Sequence, residues 1–229
     1  MRVFVTGVNG YIGAVLAPYL MERGLKIFGL DTGYYRDGWL YSDDRRFATS
    51  PYTLNKDLRA VTGADLEGCE AVVHLAELSN DPLGQNNPTV THQINHRGSM
   101  ALARTALGLG IRRFVYTSSC SVYGAAEDGG ERDERSEPNP QTAYAKCKVL
   151  VERDVGALAD AHFSPVFLRN ATAFGASPRM RFDIVLNNLA GFAWISKEIK
   201  MTSDGTPWRP LVHVDDICQA IILDRKSVV

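Results

Sequence analysis

Thr6-Gly7-Val8-Asn9-Gly10-Tyr11-Ile12-Gly13 places three glycines at intervals of three residues near the start of the chain. It follows a short apolar run, Arg2 to Thr6, and opens a helical pattern from Tyr11 to Arg23. At a strand-to-helix turn, Gly7 permits the tight bend, Gly10 lets backbone approach a pyrophosphate, and Gly13 lets the helix pack closely. The helix N-terminus adds amide donors and the positive end of its dipole. Gly7, Gly10, Tyr11, Ile12 and Gly13 are therefore candidate cofactor contacts. A glycine motif alone can be only a turn, but between the first strand and the first helix it points to a nucleotide.

On either side of this motif, short β-branched or aromatic runs alternate with longer helical patterns. Arg2 to Thr6, Lys26 to Leu30, Ala71 to Leu75, Arg113 to Thr117 and Pro165 to Leu168 read as buried strands. Tyr11 to Arg23, Val90 to Leu109 and Ala143 to Asp160 read as helices, with a kink expected at Pro18. This alternation predicts an α/β fold, a doubly wound parallel sheet covered on both faces. Leu78 to Pro88 and Ala125 to Thr142 read as long loops. Beyond Arg169 the pattern changes: a helix near Phe182 to Trp194, a strand near Glu198 to Thr202, and a last helix from Asp215. The expected division is a nucleotide-binding domain over 1–175 and a partial substrate-binding region over 176–229, with 209–225 returning to the main domain.

The chain has 229 residues, 45% of them hydrophobic and 22% charged, with a formal net charge of -1, which suits one large globular domain or one domain and part of another. Near-neutral charge without a basic run gives no support for nucleic-acid binding. No signal peptide or membrane-spanning apolar stretch is visible. Cys69, Cys120, Cys147 and Cys218 lack metal-ligand spacing, so a reduced, cytoplasmic setting without a metal is the expectation.

Two further signals carry chemistry. Asp31 ends the second strand, 18 residues past Gly13. A carboxylate there accepts hydrogen bonds from a ribose diol and repels a 2′-phosphate, favouring NAD over NADP, although Arg36 nearby could serve such a phosphate. Tyr144 and Lys148 are four apart on one helix face, where the ammonium favours the phenolate and tunes Tyr144 for proton transfer. Such pairs are common on solvated helices, but this one stands 25 residues after Ser119 in a chain that begins with a glycine loop.

The runs TGVNGYIG at 6–13, HLAE at 74–77, SSCSVYG at 118–124, YAKCK at 144–148 and RPLVHVDDI at 209–217 resemble, in order, those of the extended short-chain dehydrogenase/reductase family, in its nucleotide-sugar epimerase and dehydratase branch. The resemblance implies that Ser119 hydrogen-bonds the reacting hydroxyl or carbonyl, Tyr144 is the acid/base, and Lys148 holds the nicotinamide ribose. It further implies that Asp57 and Leu58 hold the adenine, that Leu75, Ala76 and Glu77 pass over the cofactor, and that Asn95 fixes the cofactor side of the site. Where Glu77 stands the family more often has a small residue. Arg209 matches an arginine that grips a substrate diphosphate, a bidentate task suited to guanidinium, with Arg179 and Arg181 as possible helpers. A surface salt bridge is the plainer reading of Arg209, as a strand-end cap is of Ser119. Thr172 stands where the family often has a substrate-contacting Asn. His74, His92, His96 and His213 read as structural.

Dehydratases of this branch carry an Asp-Glu pair where this chain has Cys120-Ser121, which argues against elimination of water. Cys120 stands one residue before the position of a catalytic cysteine in some epimerase-reductases, and strand alternation would turn it to the opposite face. What the resemblance leaves is NAD-dependent oxidation and re-reduction at one sugar carbon, a UDP-sugar 4-epimerase. The alternatives are a sugar-nucleotide or carbonyl reductase, and a shortened NAD-binding module, since relatives continue beyond the final Ser227-Val228-Val229. A homodimer through the second and third helical patterns is also implied.

Overall fold

The computed structural model describes residues 1–41, 50–79, 81–124, 130–201, 203–205 and 209–224. Six strands form one sheet: β1 (Arg2–Thr6), β2 (Lys26–Asp31), β3 (Tyr52–Asn55), β4 (Ala71–His74), β5 (Arg113–Ser119) and β6 (Ser164–Asn170). All pairings are parallel, in the order β3-β2-β1-β4-β5-β6. The order reverses between β1 and β4, which opens a crevice at the carboxyl ends of the strands. A two-stranded parallel pair, β7 (Thr172–Phe174) with β8 (Leu211–His213), lies beyond β6 in the chain.

The helices are α1 (Gly13–Met21), α2 (Asp81–Asn86), α3 (Pro88–His92), α4 (Ser99–Gly108), α5 (Ala143–Gly156), α6 (Val185–Ser196) and α7 (Val214–Asp224). Alternation along each strand builds two cores. Val3, Val5, Val73 and Val115 face α1 and α7, joining Leu16, Ile217 and Ile221. Phe4, Val72, Phe114 and Tyr116 point the other way, towards Leu102 of α4 and Val151 and Val155 of α5. Burial on both faces is why these strands read as continuous apolar runs.

The five expected strands are present, β2, β5 and β6 reaching further along the chain than their apolar runs, but β6 is half-buried along its length rather than buried. β3 was not expected, because this edge strand exposes Tyr52 and has no apolar run. Leu78 to Pro88 is not all loop, since the short helix α2 lies within it. The pattern from Val90 to Leu109 is not one α-helix: a π-helical turn, Gln93–Gly98, separates α3 from α4. The strand expected near Glu198 to Thr202 does not form over residues 198–201, where no neighbouring strand pairs with them, and Thr202 lies outside the described residues. α1 runs through Pro18. Of the stretch Ala125 to Thr142, residues 125–129 lie outside the described residues, and the remainder carries no helix or strand. No described helix is long and apolar enough to cross a membrane.

Phe114 is fully buried, with the rings of Phe163 and His74 at centroid distances of 5.9 and 6.1 Å. Phe114→Ala is expected to lower the free energy of urea unfolding by about 3–5 kcal/mol. A loss under about 1 kcal/mol would contradict this placement of the core.

Candidate active site

The glycine loop is fixed by close backbone approaches. Gly7 has φ 71°, and a Cβ there would stand 2.8 Å from the Ala76 amide nitrogen, so the chain leaving β4 runs directly against the loop. At Gly13 a Cβ would lie 2.1 Å from the Gly7 carbonyl oxygen, so this glycine closes the loop on itself rather than easing helix-to-sheet packing. Gly10 donates to Gly7 O at 3.0 Å. No hydrogen bond among the described residues holds the Tyr11 and Ile12 amides, which lead into α1. They are placed to receive an anion.

Asp31, at the end of β2, accepts from the amides of Asn9 at 3.0 Å and Gly33 at 2.8 Å. One carboxylate therefore joins the glycine loop to the turn after β2 and keeps lone pairs for a ribose diol. Arg36 stacks at 3.6 Å on the Trp39 ring, whose indole donates to Asn9 O. Asp57 is committed to Arg59, at 2.7 Å, and caps the turn Leu58–Ala60, while Leu58 is buried in the α4 core. Neither side chain is offered freely to a ligand.

A buried relay runs beneath the crevice. The Thr6 hydroxyl oxygen accepts from the Leu75 and Ala76 amides and lies 2.7 Å from His74 Nδ1. Ser99 donates to Asn95 O, so its oxygen is free to accept from His74 Nε2, at 2.7 Å. This pattern fits a neutral imidazole with Nε2–H as donor and Nδ1 as acceptor. Burial, with the Lys148 charge adding to it, pulls His74 down to about 3. Asn95 is turned inward by the π-helical turn and clamps Leu78 in both directions, accepting from its amide at 2.9 Å and donating to its carbonyl at 3.0 Å. It acts on the segment Leu75 to Leu78 rather than from the crevice surface.

Lys148 sits one helical turn beyond half-buried Tyr144 on α5 and is itself almost wholly buried. Its ammonium donates to Thr117 O on β5, lies 2.7 Å from Glu77 Oε2, and stands 5.2 Å from the Tyr144 ring centroid. Burial alone would lower the Lys148 pKa, but the Glu77 carboxylate, with Tyr144, reverses this and leaves it raised. Tyr116 donates to the other Glu77 oxygen. Glu77 thus belongs to the site by its side chain, whereas the sequence pointed only to the segment it lies on.

Ser119 ends β5 and its hydroxyl accepts from the Ser121 amide at 3.2 Å, starting a 3₁₀ turn over Cys120–Tyr123. The strand therefore stops before Cys120, and alternation does not govern where its thiol faces. Burial raises the Cys120 thiol pKa, against the Ser119 contact and the Arg209 charge, so the group stays protonated. Arg209 itself is exposed. It has no hydrogen bond or ion pair among the described residues.

Tyr11 ties the later part of the chain to the glycine loop. Its hydroxyl donates to Gly175 O at 2.7 Å and accepts from Asn187 at 3.2 Å, while Ser177 donates to Tyr11 O. Arg181 is paired with Asp183 at 2.5 Å and reaches Ser79 Oγ at 3.2 Å. Arg179 stacks at 4.4 Å on Tyr35, and the Thr172 amide donates to Pro210 O. Ser177 and Asn187 gave no motif to the sequence; only their burial and their partners identify them. Among the described residues no His, Cys, Asp and Glu cluster could hold a metal. The glycine cradle, the Tyr11 and Ile12 amides, unheld among the described residues, and the Asp31 carboxylate together fit NAD.

A model of the NAD dependent epimerase/dehydratase family matches residues 3–226. The UDP-glucuronate 4-epimerase of Thermodesulfobacterium geofontis is 26% identical, over 98% of this chain and 71% of its own length. The UDP-glucose 4-epimerase of Neisseria gonorrhoeae is 25% identical, over 99% of this chain and 74% of its own. The solved structure of MoeE5 in complex with UDP-glucose and NAD is 28% identical with a TM-score of 0.81, over 97% of this chain and 71% of that one.

The neutral His74 has a consequence for stability. Unfolded, it takes up a proton near pH 6.5, but folded only near 3, so stability falls as pH drops through that window. Urea unfolding between pH 7 and pH 4 should lose up to about 1.4 kcal/mol per pH unit from this group. His74→Asn should show a shallower slope; an unchanged slope would contradict the assignment.

Proposed function

The chain belongs to the NAD dependent epimerase/dehydratase family, and within it we propose that the protein interconverts a UDP-hexose and its C4 epimer. The observation that carries this reading is the buried Lys148 ammonium one turn from Tyr144, beside the end of β5 where Ser119 stands. The first two residues supply a proton-transfer pair, and the third a hydroxyl to orient the sugar oxygen. NAD, when bound, supplies the redox step by accepting and returning a hydride. The remaining work belongs to side chains of this chain.

Tyr144 takes the proton from the sugar 4-hydroxyl as the C4 hydrogen leaves with its bonding electrons. After the keto sugar turns over, Tyr144 returns the proton to the 4-oxygen as the hydrogen comes back to the opposite face. Lys148 lowers the cost of the phenolate by its charge. Ser119 holds the sugar oxygen in line. Asp31 and the Tyr11 and Ile12 amides suit the adenosine ribose and pyrophosphate. Arg209, free of an ion-pair partner among the described residues, is better placed to take the sugar-nucleotide diphosphate than Arg181, which Asp183 already holds. The Cys120-Ser121 dipeptide lacks the carboxyl groups that elimination of water would use, which supports epimerisation over dehydration.

Proton NMR of the full chain with NAD and UDP-glucose should show UDP-galactose forming without net accumulation of NADH. Tyr144→Phe should slow turnover by about 10²–10⁴-fold while NAD still binds. Wild-type-like turnover in that variant would overturn the reading, and stoichiometric NADH consumption with a keto sugar would replace it with a reductase.

A further inference from the structure

Glu77 follows β4 and its carboxylate is buried, with a side chain only 2% exposed. Burying a charge at such a position is strongly unfavourable unless partners surround it. Each of its oxygens has a partner of a different kind: Tyr116 on β5 donates to Oε1, and the Lys148 ammonium on α5 forms an ion pair with Oε2 at 2.7 Å. A donor at one oxygen and a cation beside the other, with no acceptor at the carboxyl group, suit the ionised form. Lys148 in turn has its ammonium divided among the Thr117 carbonyl, Glu77 and Tyr144, with the Tyr116 ring 4.4 Å away.

The other titratable groups around this pair cannot balance the lysine. His74 on β4 is neutral, and the Cys147 thiol on α5 is pushed up to about 11 by burial. Tyr116 is held well above the ordinary phenol range, chiefly by burial. Among the described groups facing Lys148, Glu77 is the carboxyl group: burial pushes its pKa up, and the Lys148 charge with the Lys148 and Tyr116 contacts pulls against that, so it is the group whose charge is tied to the lysine's.

We propose that Glu77 is a positioning residue of the acid/base unit: the buried counter-ion that keeps Lys148 charged and directed between Thr117 and Tyr144. This rests on the reading of Tyr144 and Lys148 given above. Without the carboxylate, a buried ammonium is left to desolvation, which favours its neutral form. A neutral Lys148 neither tunes Tyr144 nor offers a charged donor to the cofactor ribose. With Glu77 present, these functions persist into the alkaline range; without it, they are lost as pH rises through a lowered Lys148 pKa.

Calorimetric titration of NAD⁺ into the full chain from pH 7 to pH 9.5 tests this. Wild type should bind with nearly constant affinity, whereas Glu77→Gln, which keeps the shape and the Tyr116 acceptor, should weaken by about tenfold or more across the range. A folded Glu77→Gln protein with the wild-type profile would overturn the proposal. Should that variant not fold, Glu77→Asp takes its place: a profile between the two is expected, and a wild-type profile overturns the proposal. Turnover of UDP-glucose by Tyr144→Phe, measured alongside, separates the two readings. Full activity there sinks the acid/base assignment, while a retained pH effect at Glu77 leaves the counter-ion standing.

Discussion

A lysine ammonium enclosed between a sheet and a helix is the constraint around which the site is arranged. Lys148 is nearly inaccessible to water, so its charge persists only because oxygen atoms from three parts of the chain converge on it: the Thr117 carbonyl, the Glu77 carboxylate and the Tyr144 phenol. Parallel pairing of β4 with β5, in the register His74 to Tyr116, brings the first two of these parts together. α5 supplies the third, and its packing through Val151 and Val155 sets how deep the ammonium lies. An unpaired ammonium at that depth would be neutral; with its partners it is a fixed positive charge beside a phenol.

The same economy is visible on the cofactor side. Asp31 and Thr6 each use one side chain to hold two amides, which aligns the glycine loop, the turn after β2 and the chain leaving β4 around one crevice. The loop and that chain approach so closely that Gly7 leaves no room for a Cβ. Tyr11 then joins the loop to residues 175–187 through Gly175, Ser177 and Asn187. The segment bearing Arg179 and Arg181 is thus built on the glycine loop itself.

Much of this was legible because the signals are local. The apolar runs of β1, β4 and β5, the glycine spacing and the four-residue interval from Tyr144 to Lys148 each depend on a few neighbouring residues. The rest depends on contacts distant in sequence. Glu77 meets a tyrosine 39 residues away, and Asn187 meets Tyr11 across 176 residues. Neither residue type announces such a partner. β3 escaped notice because an edge strand needs no continuous apolar run, and the π-helical turn at Asn95 because its residues still follow a helical period. Cys120 shows the opposite failure: alternation is sound reasoning inside a strand, but Ser119 caps a turn and the strand ends there.

In the reaction proposed for this crevice, one carbon of a UDP-hexose is oxidised and reduced again, with Tyr144 moving the proton. UDP-glucose deuterated at C4, incubated with the protein and NAD and followed by NMR, tests it most directly. UDP-galactose that retains deuterium at C4 is expected, because the hydrogen returns to the carbon it left. Loss of the label to solvent, or its accumulation in released nicotinamide cofactor, would contradict it.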